Sequence, residues 1–399
     1  MLPLPAFTIA RLPRIVFGAG SIAIVPQEAR ALGRRALVVT GARAFRATAA
    51  WPRLMAGLAD AGVAAKDLAV DGEPSPGFVD AAVDALRQDA FDVVIGVGGG
   101  SALDAAKAIA GLLNVGRSVM DYLEGVGPER PYEGPAVPMI AVPTTAGTGS
   151  EATKNAVLSQ GGAAAFKKSF RHETLVPCVA IVDPELLASC PRPVVAANGM
   201  DCFTQLLESY TSTKANPFTD ALAWSGMVAF GEGFFDALEG GVQPQAQAGR
   251  SRMAYAALLS GVCLAQTGLG AVHGLASPLG AHYPIPHGAC CGTLVAGATA
   301  ANIRALSGRG DESLLLGKYA EVGRLLIGEP AAEAGKARSA LIETLTAWTD
   351  RLGLPLLSRF GMRASDIPRI VAESRGSSMK TNPIVLSDGE LADILSARL

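Results

Sequence analysis

The sequence predicts an α/β fold with a parallel sheet in the N-terminal part, followed by an all-helical C-terminal part. In the first half, short apolar runs that end at turn residues alternate with helical stretches, which is typical of a parallel sheet. In the second half, few β-branched runs remain and apolar residues recur with helical periodicity. Pro184 and Pro191 mark the change, so we expect two domains, residues 1–184 and residues 185–399.

Each element follows from a local pattern. Apolar runs bounded by turn residues predict strands, and amphipathic runs rich in Ala and Leu predict helices. The predicted strands are residues 36–40, 67–70, 92–97, 139–142 and 179–182, and the helices among them are residues 44–61 and 102–113. The predicted helices of the second half are residues 196–211, 218–238, 247–264, 312–326 and 333–352.

The composition indicates a folded protein that does not bind nucleic acid or membranes. The chain is 49% hydrophobic and 18% charged, its formal net charge is −2, and it contains no basic run. It shows neither an N-terminal signal pattern nor an apolar stretch of about 18 residues without turn signals. The 6 cysteines form no CxxC motif, so we expect reduced thiols and a cytoplasmic location. Cys290 and Cys291 are adjacent, and because neighbouring residues rarely chelate one ion together, we interpret them as small buried residues rather than a metal or redox pair.

Two glycine-rich loops follow predicted strands and have the features of phosphate-binding sites. In the first, Gly98, Gly99, Gly100 and Ser101 separate a strand from a helix. Glycines let the backbone approach a ligand closely, and the free N–H groups at a helix start attract an anion. The second loop, residues 143–151, concentrates hydroxyls and free amides. Two such loops on one sheet indicate a dinucleotide.

Histidine is scarce in this chain, and its distribution indicates a metal site. Of the 4 histidines, His273, His282 and His287 lie in one short stretch, and Asp201 precedes them. A carboxylate with imidazoles is a ligand set for a divalent transition metal. Gln205 follows Asp201 by four residues, so the two share one helix face and both reach one ion.

Together these motifs resemble the iron-containing (group III) alcohol dehydrogenases. They are GGGSALDAAK, PTTAGTGSEAT, VDPEL, NGMDCFTQLLESY and the segment from His273 to Gly288, and they occur in that order. The resemblance extends over essentially the whole chain. It implies a dehydroquinate synthase-like architecture, a divalent metal (Fe²⁺ or Zn²⁺) in the cleft between the domains, and interconversion of alcohols and aldehydes with NAD or NADP.

The resemblance also implies roles for individual residues. Asp201, His273 and His287 match family metal ligands, and Lys167 resembles an active-site lysine. The positions that match family cofactor-binding residues are Gly98, Gly99, Gly100, Ser101, Asp104, Thr144, Thr145 and Thr148.

Three departures from the family pattern affect the expected site. Gln205 stands where the family has a fourth ligand, a histidine, and a neutral amide is a weaker ligand, so we expect Zn²⁺ to be retained more readily than Fe²⁺. Ser277 replaces a histidine near the nicotinamide, so we expect proton release through Ser277, the ribose hydroxyl or His282. Gly41 and Arg43 stand where an aspartate often binds the adenosine ribose, so we expect NADP to be accepted.

The expected function is that of a metal-dependent alcohol dehydrogenase acting on a small alcohol or aldehyde, in a chain that resembles dimeric family members. Three alternatives stay open. A metal-independent reductase of the maleylacetate-reductase type differs at the position of Asp201, and a lyase of the dehydroquinate-synthase type needs more cationic groups than these motifs supply. A non-catalytic nucleotide sensor would bind the cofactor without turnover.

Overall fold

The computed structural model of the protein describes residues 6–162, 165–309 and 313–399. The strands in these ranges are β1 (Arg14–Phe17), β2 (Arg35–Gly41), β3 (Ala64–Val70), β4 (Val93–Gly98), β5 (Met139–Pro143), β6 (Asn155–Gln160), β7 (Phe166–Arg171) and β8 (Val179–Val182). The helices of the first half are α1 (Val25–Leu32), α2 (Ala50–Asp60), α3 (Pro76–Leu86) and α4 (Gly100–Leu112). Those of the second half are α5 (Arg192–Thr211), α6 (Pro217–Glu239), α7 (Pro244–Thr267), α8 (Ala271–His282), α9 (His287–Arg309), α10 (Ser313–Ile327), α11 (Ala334–Arg351), α12 (Ile367–Glu373) and α13 (Asp388–Ser396).

The N-terminal part is built on a six-stranded sheet in the order β1-β8-β5-β4-β2-β3, with every neighbouring pair parallel. Both faces of the sheet are covered, because Leu37 and Val39 pack in one core while Val38 packs in the other. Helices α3 and α4 contribute to the first core, and α1 and α2 to the second. Strands buried on both faces explain the continuous apolar runs in the sequence, and the predicted α/β part is confirmed.

The C-terminal part is helical, as predicted, and surrounds one large core. Aromatic rings of three helices meet there, with Phe203 of α5 and Phe230 of α6 both against Trp348 of α11. Helix α9 is the one described helix that is long and apolar enough to cross a membrane, but most of its apolar window is buried inside this core. Its composition is therefore that of a central core helix. The predicted helix at residues 312–326 corresponds to α10, although residue 312 lies outside the described ranges.

Several elements were not predicted from the sequence. Strand β1 is an edge strand of 4 residues in which Ile15 and Phe17 are each 40% exposed, and its apolar run of three residues is too short to predict a strand. Strands β6 and β7 form a separate antiparallel hairpin that carries many polar side chains. Helix α8 has a weak periodicity because Pro278 and several glycines interrupt it. The hairpin and α8 pack against each other, and together they form one wall of the site described below.

Candidate metal and dinucleotide site

Helix α5 carries three buried polar side chains on one face. Asp201, Gln205 and Glu208 follow one another at spacings of four and three residues, so they line up along the helix. Asp201 is only 1% exposed, Gln205 2% and Glu208 7%. Buried carboxylates need hydrogen-bond partners or countercharges, and here these come from α7, α8 and α9.

Glu208 fixes the start of α8. Its Oε1 accepts a hydrogen bond from the backbone N–H of Val272 at 2.7 Å, and Asn382 Oδ1 accepts one from Ala271 at 2.9 Å. At the preceding Gly270, a Cβ atom would lie 2.8 Å from Asn382 Oδ1 and 2.9 Å from Glu208 Oε1. Glycine is therefore required where these two side chains approach the helix end.

Glu208 also fixes the ring of His273. Its Oε2 lies 2.7 Å from His273 Nδ1. Because an ionised carboxylate can only accept a hydrogen bond, Nδ1 carries a proton and donates it. Nε2 lies 3.2 Å from Asp201 Oδ1. Burial opposes the charged form of His273, but Cys291, Asp201 and Glu208 outweigh it and raise the pKa of His273 well above its ordinary value, so Nε2 gives up a proton when it binds a metal. A carboxylate behind the ring that directs Nε2 at the site is the usual arrangement of a metal-binding histidine.

Helix α9 brings His287 and Cys291 to the same point. His287 Nε2 lies 3.7 Å from Asp201 Oδ1, and Cys291 Sγ lies 3.6 Å from His273 Nε2 and 3.7 Å from His287 Nε2. The four candidate ligand atoms of Asp201, His273, His287 and Cys291 all lie within 4.8 Å of one another. We call these four residues the ligand cluster.

Burial and neighbouring charges set the protonation of the ligand cluster. Burial opposes ionisation of Asp201, but His287 and His273 outweigh it and lower its pKa to about 2. Burial lowers the pKa of His287 to about 4, so its imidazole is neutral at neutral pH. Burial also raises the pKa of the Cys291 thiol to about 12, so this group becomes a ligand only by giving up its proton as a metal binds.

Gln205 is held at both ends of its amide. Its Nε2 donates to Asp201 Oδ2 at 3.2 Å, and its Oε1 accepts from Ser260 Oγ at 3.3 Å. The opposite amide orientation would set the carbonyl oxygen against the Asp201 carboxylate, which is unfavourable. Gln205 lies one turn after Asp201 and lines the cavity, as the spacing predicts, and in this structure its contact is with the carboxylate.

A cavity of about 1230 Å³ connects the ligand cluster with the carboxyl edge of the sheet. Small-molecule sites usually have about 300–1,000 Å³, so a dinucleotide and a small substrate fit together here. The predicted cofactor positions that line the cavity are Gly41, Arg43, Gly99, Gly100, Ser101, Asp104, Thr145 and Thr148. Gly98 and Thr144 lie behind this surface, where Thr144 N donates to Gly98 O at 2.9 Å and joins the two loops.

The two loops are held together by close packing and by a buried lysine. A Cβ atom at Gly100 would lie 3.0 Å from Thr148 Cγ2, so a larger residue there would require the Thr148 side chain to shift. Lys107 of α4 is fully buried and donates to Ser150 Oγ at 2.8 Å and Thr153 Oγ1 at 2.9 Å. The second loop is thereby tied to the helix that begins at the first.

The three residues predicted to act in catalysis do not all reach the cavity. Lys167 and Ser277 line it. The Lys167 ammonium forms an ion pair with Glu73, and Ser277 Oγ donates to the backbone carbonyl of Lys167 at 3.3 Å. His282 is not part of the cavity wall, and its Nε2 is paired at 2.7 Å with Oε2 of Glu373, a residue that does line the cavity.

At the opposite end of the cavity, Arg43 forms an ion pair with Asp71. Arg43 Nη2 lies 3.3 Å from Asp71 Oδ1, and the two side chains are 86% and 77% exposed. Asp71 directly follows β3, whose last residue pairs with Gly41 at the end of β2. The carboxylate of Asp71 thus lies beside Gly41 at the end of β2, where many family members have an aspartate on β2 itself.

Sequence reasoning missed three functional candidates, Glu208, Asp71 and Glu73, and interpreted a fourth, Cys291, as a small buried residue and not as a metal ligand. Glu208 stands seven residues after Asp201, and Cys291 stands four residues after His287, so helical spacing alone places each on the face of a predicted ligand. Asp71 and Glu73 follow a strand that was predicted, and the carboxyl ends of parallel strands share one edge. These spacings are visible in the sequence, but the residues that each side chain contacts become known only once the elements are placed in space.

Comparisons with known proteins agree with this geometry. The family model described as iron-containing alcohol dehydrogenase matches residues 13–184, and that of the C-terminal part of the same family matches residues 195–399. An NAD-dependent methanol dehydrogenase of Bacillus methanolicus is 31% identical, over 97% of this chain and 98% of its own length. Among solved structures, a 1,3-propanediol oxidoreductase superposes with a TM-score of 0.88 at 28% identity, over 99% of this chain and 100% of its own. Sulfoacetaldehyde reductase from Bifidobacterium kashiwanohense, in complex with NAD⁺, superposes with a TM-score of 0.84 at 26% identity, over 99% of both chains.

The chain belongs to the iron-containing alcohol dehydrogenase family. It is an oxidoreductase that acts on CH–OH groups and uses a nicotinamide cofactor and a divalent metal. A carboxylate, two imidazoles and a thiol converge at one point, and these donor types fit such a metal. The expected family, fold class, type of reaction and cofactor classes are confirmed.

Proposed function

We propose that the chain interconverts small primary alcohols and their aldehydes, with the reaction at the point where the ligand cluster meets the cavity. The observation that carries this proposal is that Asp201, His273 and His287 line the same cavity as Gly99 and Gly100. A group held by the first three residues therefore faces a cofactor held by the glycine loops.

Asp201, His273 and His287 would hold the divalent metal. When bound, the metal lowers the pKa of an alcohol hydroxyl and polarises an aldehyde carbonyl, and the nicotinamide carries the hydride. Glu208 fixes the orientation of His273 by accepting the hydrogen bond of Nδ1, so Nε2 is the nitrogen that would bind the metal. Gln205 binds the second oxygen of Asp201, which leaves Oδ1 directed at the two histidines.

Lys167 and Ser277 would contact the substrate end of the cofactor. The Lys167–Glu73 ion pair lies in the wall formed by the β6–β7 hairpin and the loop after β3. Ser277 Oγ donates its proton to the backbone carbonyl of Lys167 and keeps two lone pairs as acceptors. It can therefore accept a hydrogen bond from the group that carries the proton away from the substrate. His282 is left out of this role because its ring nitrogen is paired with Glu373 and its own side chain does not line the cavity.

The adenosine end would accept both NAD and NADP. Arg43 faces the cavity and attracts a 2′-phosphate, while the neighbouring Asp71 offsets part of that charge and accepts hydrogen bonds from ribose hydroxyls. Both side chains are largely exposed, so solvent screens each effect and neither cofactor is excluded.

We further propose a cytoplasmic homodimer with domains at residues 1–184 and 185–399. The match to the first family model ends at residue 184 and the match to the second begins at residue 195, which supports this boundary. The unpaired edge of β1, with Ile15 and Phe17 each 40% exposed, supports self-association along that strand. Sedimentation velocity measures the oligomeric state directly.

The test is a screen of short primary alcohols and aldehydes with NAD and with NADP, on protein loaded with Zn²⁺ or Fe²⁺. His287→Ala should lose both bound metal and turnover, because it removes one of the imidazoles of the ligand cluster. His172→Ala is the matched control, since His172 lies outside the cavity wall. Full turnover in His287→Ala would refute the metal-dependent mechanism, and cofactor binding without any turnover would favour a nucleotide sensor.

A further inference from the structure

Position 205 leaves the metal site with one ligand fewer than a site with a histidine there. In this structure, both ends of the Gln205 amide are engaged, the nitrogen with Asp201 and the oxygen with Ser260. The amide nitrogen, which cannot act as a ligand, is the end that faces Asp201. A fourth protein donor would therefore come from another element.

Cys291 lies where that donor is needed. In a tetrahedral shell with metal–sulfur bonds of about 2.3 Å and metal–nitrogen bonds of about 2.0–2.1 Å, a sulfur and a nitrogen ligand are about 3.6 Å apart. Cys291 Sγ lies 3.6 Å from His273 Nε2 and 3.7 Å from His287 Nε2. Oxygen and nitrogen ligands of such a shell are about 3.3–3.4 Å apart, and Asp201 Oδ1 lies 3.2 Å and 3.7 Å from the same two nitrogens.

We propose that Cys291 is the fourth metal ligand of this chain and takes the place of the absent imidazole at position 205. This inference rests on the proposed metal site of Asp201, His273 and His287. The metal–sulfur bond forms as the S–H bond breaks, and the proton leaves to solvent without any change of oxidation state.

Helix geometry distinguishes Cys291 from its neighbour Cys290. Cys291 follows His287 by one turn and shares its face, whereas Cys290 is rotated by roughly 100° around the helix. Both thiols are fully buried, but only Cys291 belongs to the ligand cluster among the described residues. Cys290 packs in the helical core and serves as a natural control.

The position of Cys291 also fits a catalytic site. Asp201, His273 and His287 line the cavity, but Cys291 does not, so its sulfur lies on the buried side of the cluster. The side that faces the cavity stays open for a substrate. A thiolate is a softer ligand than an imidazole, so the set should favour Zn²⁺ over Fe²⁺ more strongly than a set of one aspartate and three histidines does.

The decisive measurement is X-ray absorption at the zinc edge of the full-length, Zn²⁺-loaded protein. We expect one sulfur neighbour at about 2.3 Å, together with nitrogen and oxygen neighbours. Cys291→Ser should lose the sulfur neighbour and release zinc to a chelator at least tenfold faster, since even partners outside the ligand shell change metal affinity by about 10–100-fold. Cys290→Ser should keep both the sulfur neighbour and the slow release.

A rescue variant tests the exchange of ligands directly. Gln205→His in the Cys291→Ser background supplies an imidazole one turn after Asp201, so it should restore slow release of zinc with no sulfur neighbour. If wild-type protein binds zinc with only nitrogen and oxygen neighbours, the inference is overturned while the proposed function stands. If wild-type protein binds neither zinc nor iron, the metal site itself fails and the inference fails with it. The wild-type spectrum decides the question even if the serine variant does not fold.

Discussion

Replacement of Glu208 by glutamine should weaken metal binding without removing any ligand. The Glu208 carboxylate accepts two hydrogen bonds at 2.7 Å, from His273 Nδ1 and from the backbone N–H of Val272. A glutamine has only one oxygen, so its NH₂ group must face one of these two donors. A hydrogen bond to a charged group is worth about 1.5–3 kcal/mol. Loss of this partner should therefore lower metal affinity by about 10–100-fold, which is about 1.4–2.7 kcal/mol.

The assay is a competition between the protein and a chelator of known zinc affinity, read as the dissociation constant of the metal. Glu321→Gln is the matched control, because Glu321 also accepts a short hydrogen bond, from Tyr210, but lies away from the ligand cluster. The control should bind zinc as the wild type does. A dissociation constant for Glu208→Gln within twofold of that of the control would refute the claim that Glu208 positions His273.

Two further predictions concern the cofactor and the pH dependence of stability. Arg43→Ala should lower the ratio of kcat/KM with NADP to kcat/KM with NAD, and Asp71→Asn should raise it. Each change should be a few-fold, because the ion pair is exposed and screened by solvent. An unchanged ratio in both variants would show that Arg43 and Asp71 do not contact the 2′ position of the adenosine ribose. Burial raises the pKa of Glu151 to about 7 from an ordinary value of 4.5, so the folded state holds a proton that the unfolded state has lost. Its contribution to stability is full below pH 4.5 and is lost as the pH rises to about 7. Glu151→Gln should remove this pH-dependent loss of unfolding free energy, which is on the order of 3 kcal/mol. The free energy of unfolding in urea, compared between pH 5 and pH 8, measures it. An equal dependence on pH in wild type and variant would contradict the prediction.

The parallel sheet was predictable because its strands are buried on both faces. Residues 93–97 (Val-Val-Ile-Gly-Val) carry no polar side chain, and β4 lies at the centre of the sheet with helices above and below. The β6–β7 hairpin was not predictable in the same way, since it covers the site with one face and carries Lys167 and Lys168. A strand whose polar side chains line a cavity has no apolar run to mark it.

The metal site was predicted as far as residue type alone identifies it. Asp201, His273 and His287 are conspicuous because acids and histidines bind metals and histidine is rare in this chain. Glu208 and Cys291 are not conspicuous, because glutamate is common on helices and cysteine is common in cores. Their roles depend on the hydrogen bonds of α5 to α8 and on the packing of α5 against α9, which no single segment encodes.

The roles of Gln205 and Cys291 are related through helix geometry. Asp201 and position 205 are four residues apart on α5, and His287 and Cys291 are four residues apart on α9. Each helix can therefore present two ligands to the same point. His287 and Cys291 of α9, Asp201 of α5 and His273 of α8 already make a set of four. A histidine on α5 becomes dispensable once α9 supplies its second donor, and Gln205 is then free to hold the Asp201 carboxylate instead of binding the ion. This is why the Cys291→Ser and Gln205→His substitutions should compensate each other, although their side chains belong to different helices.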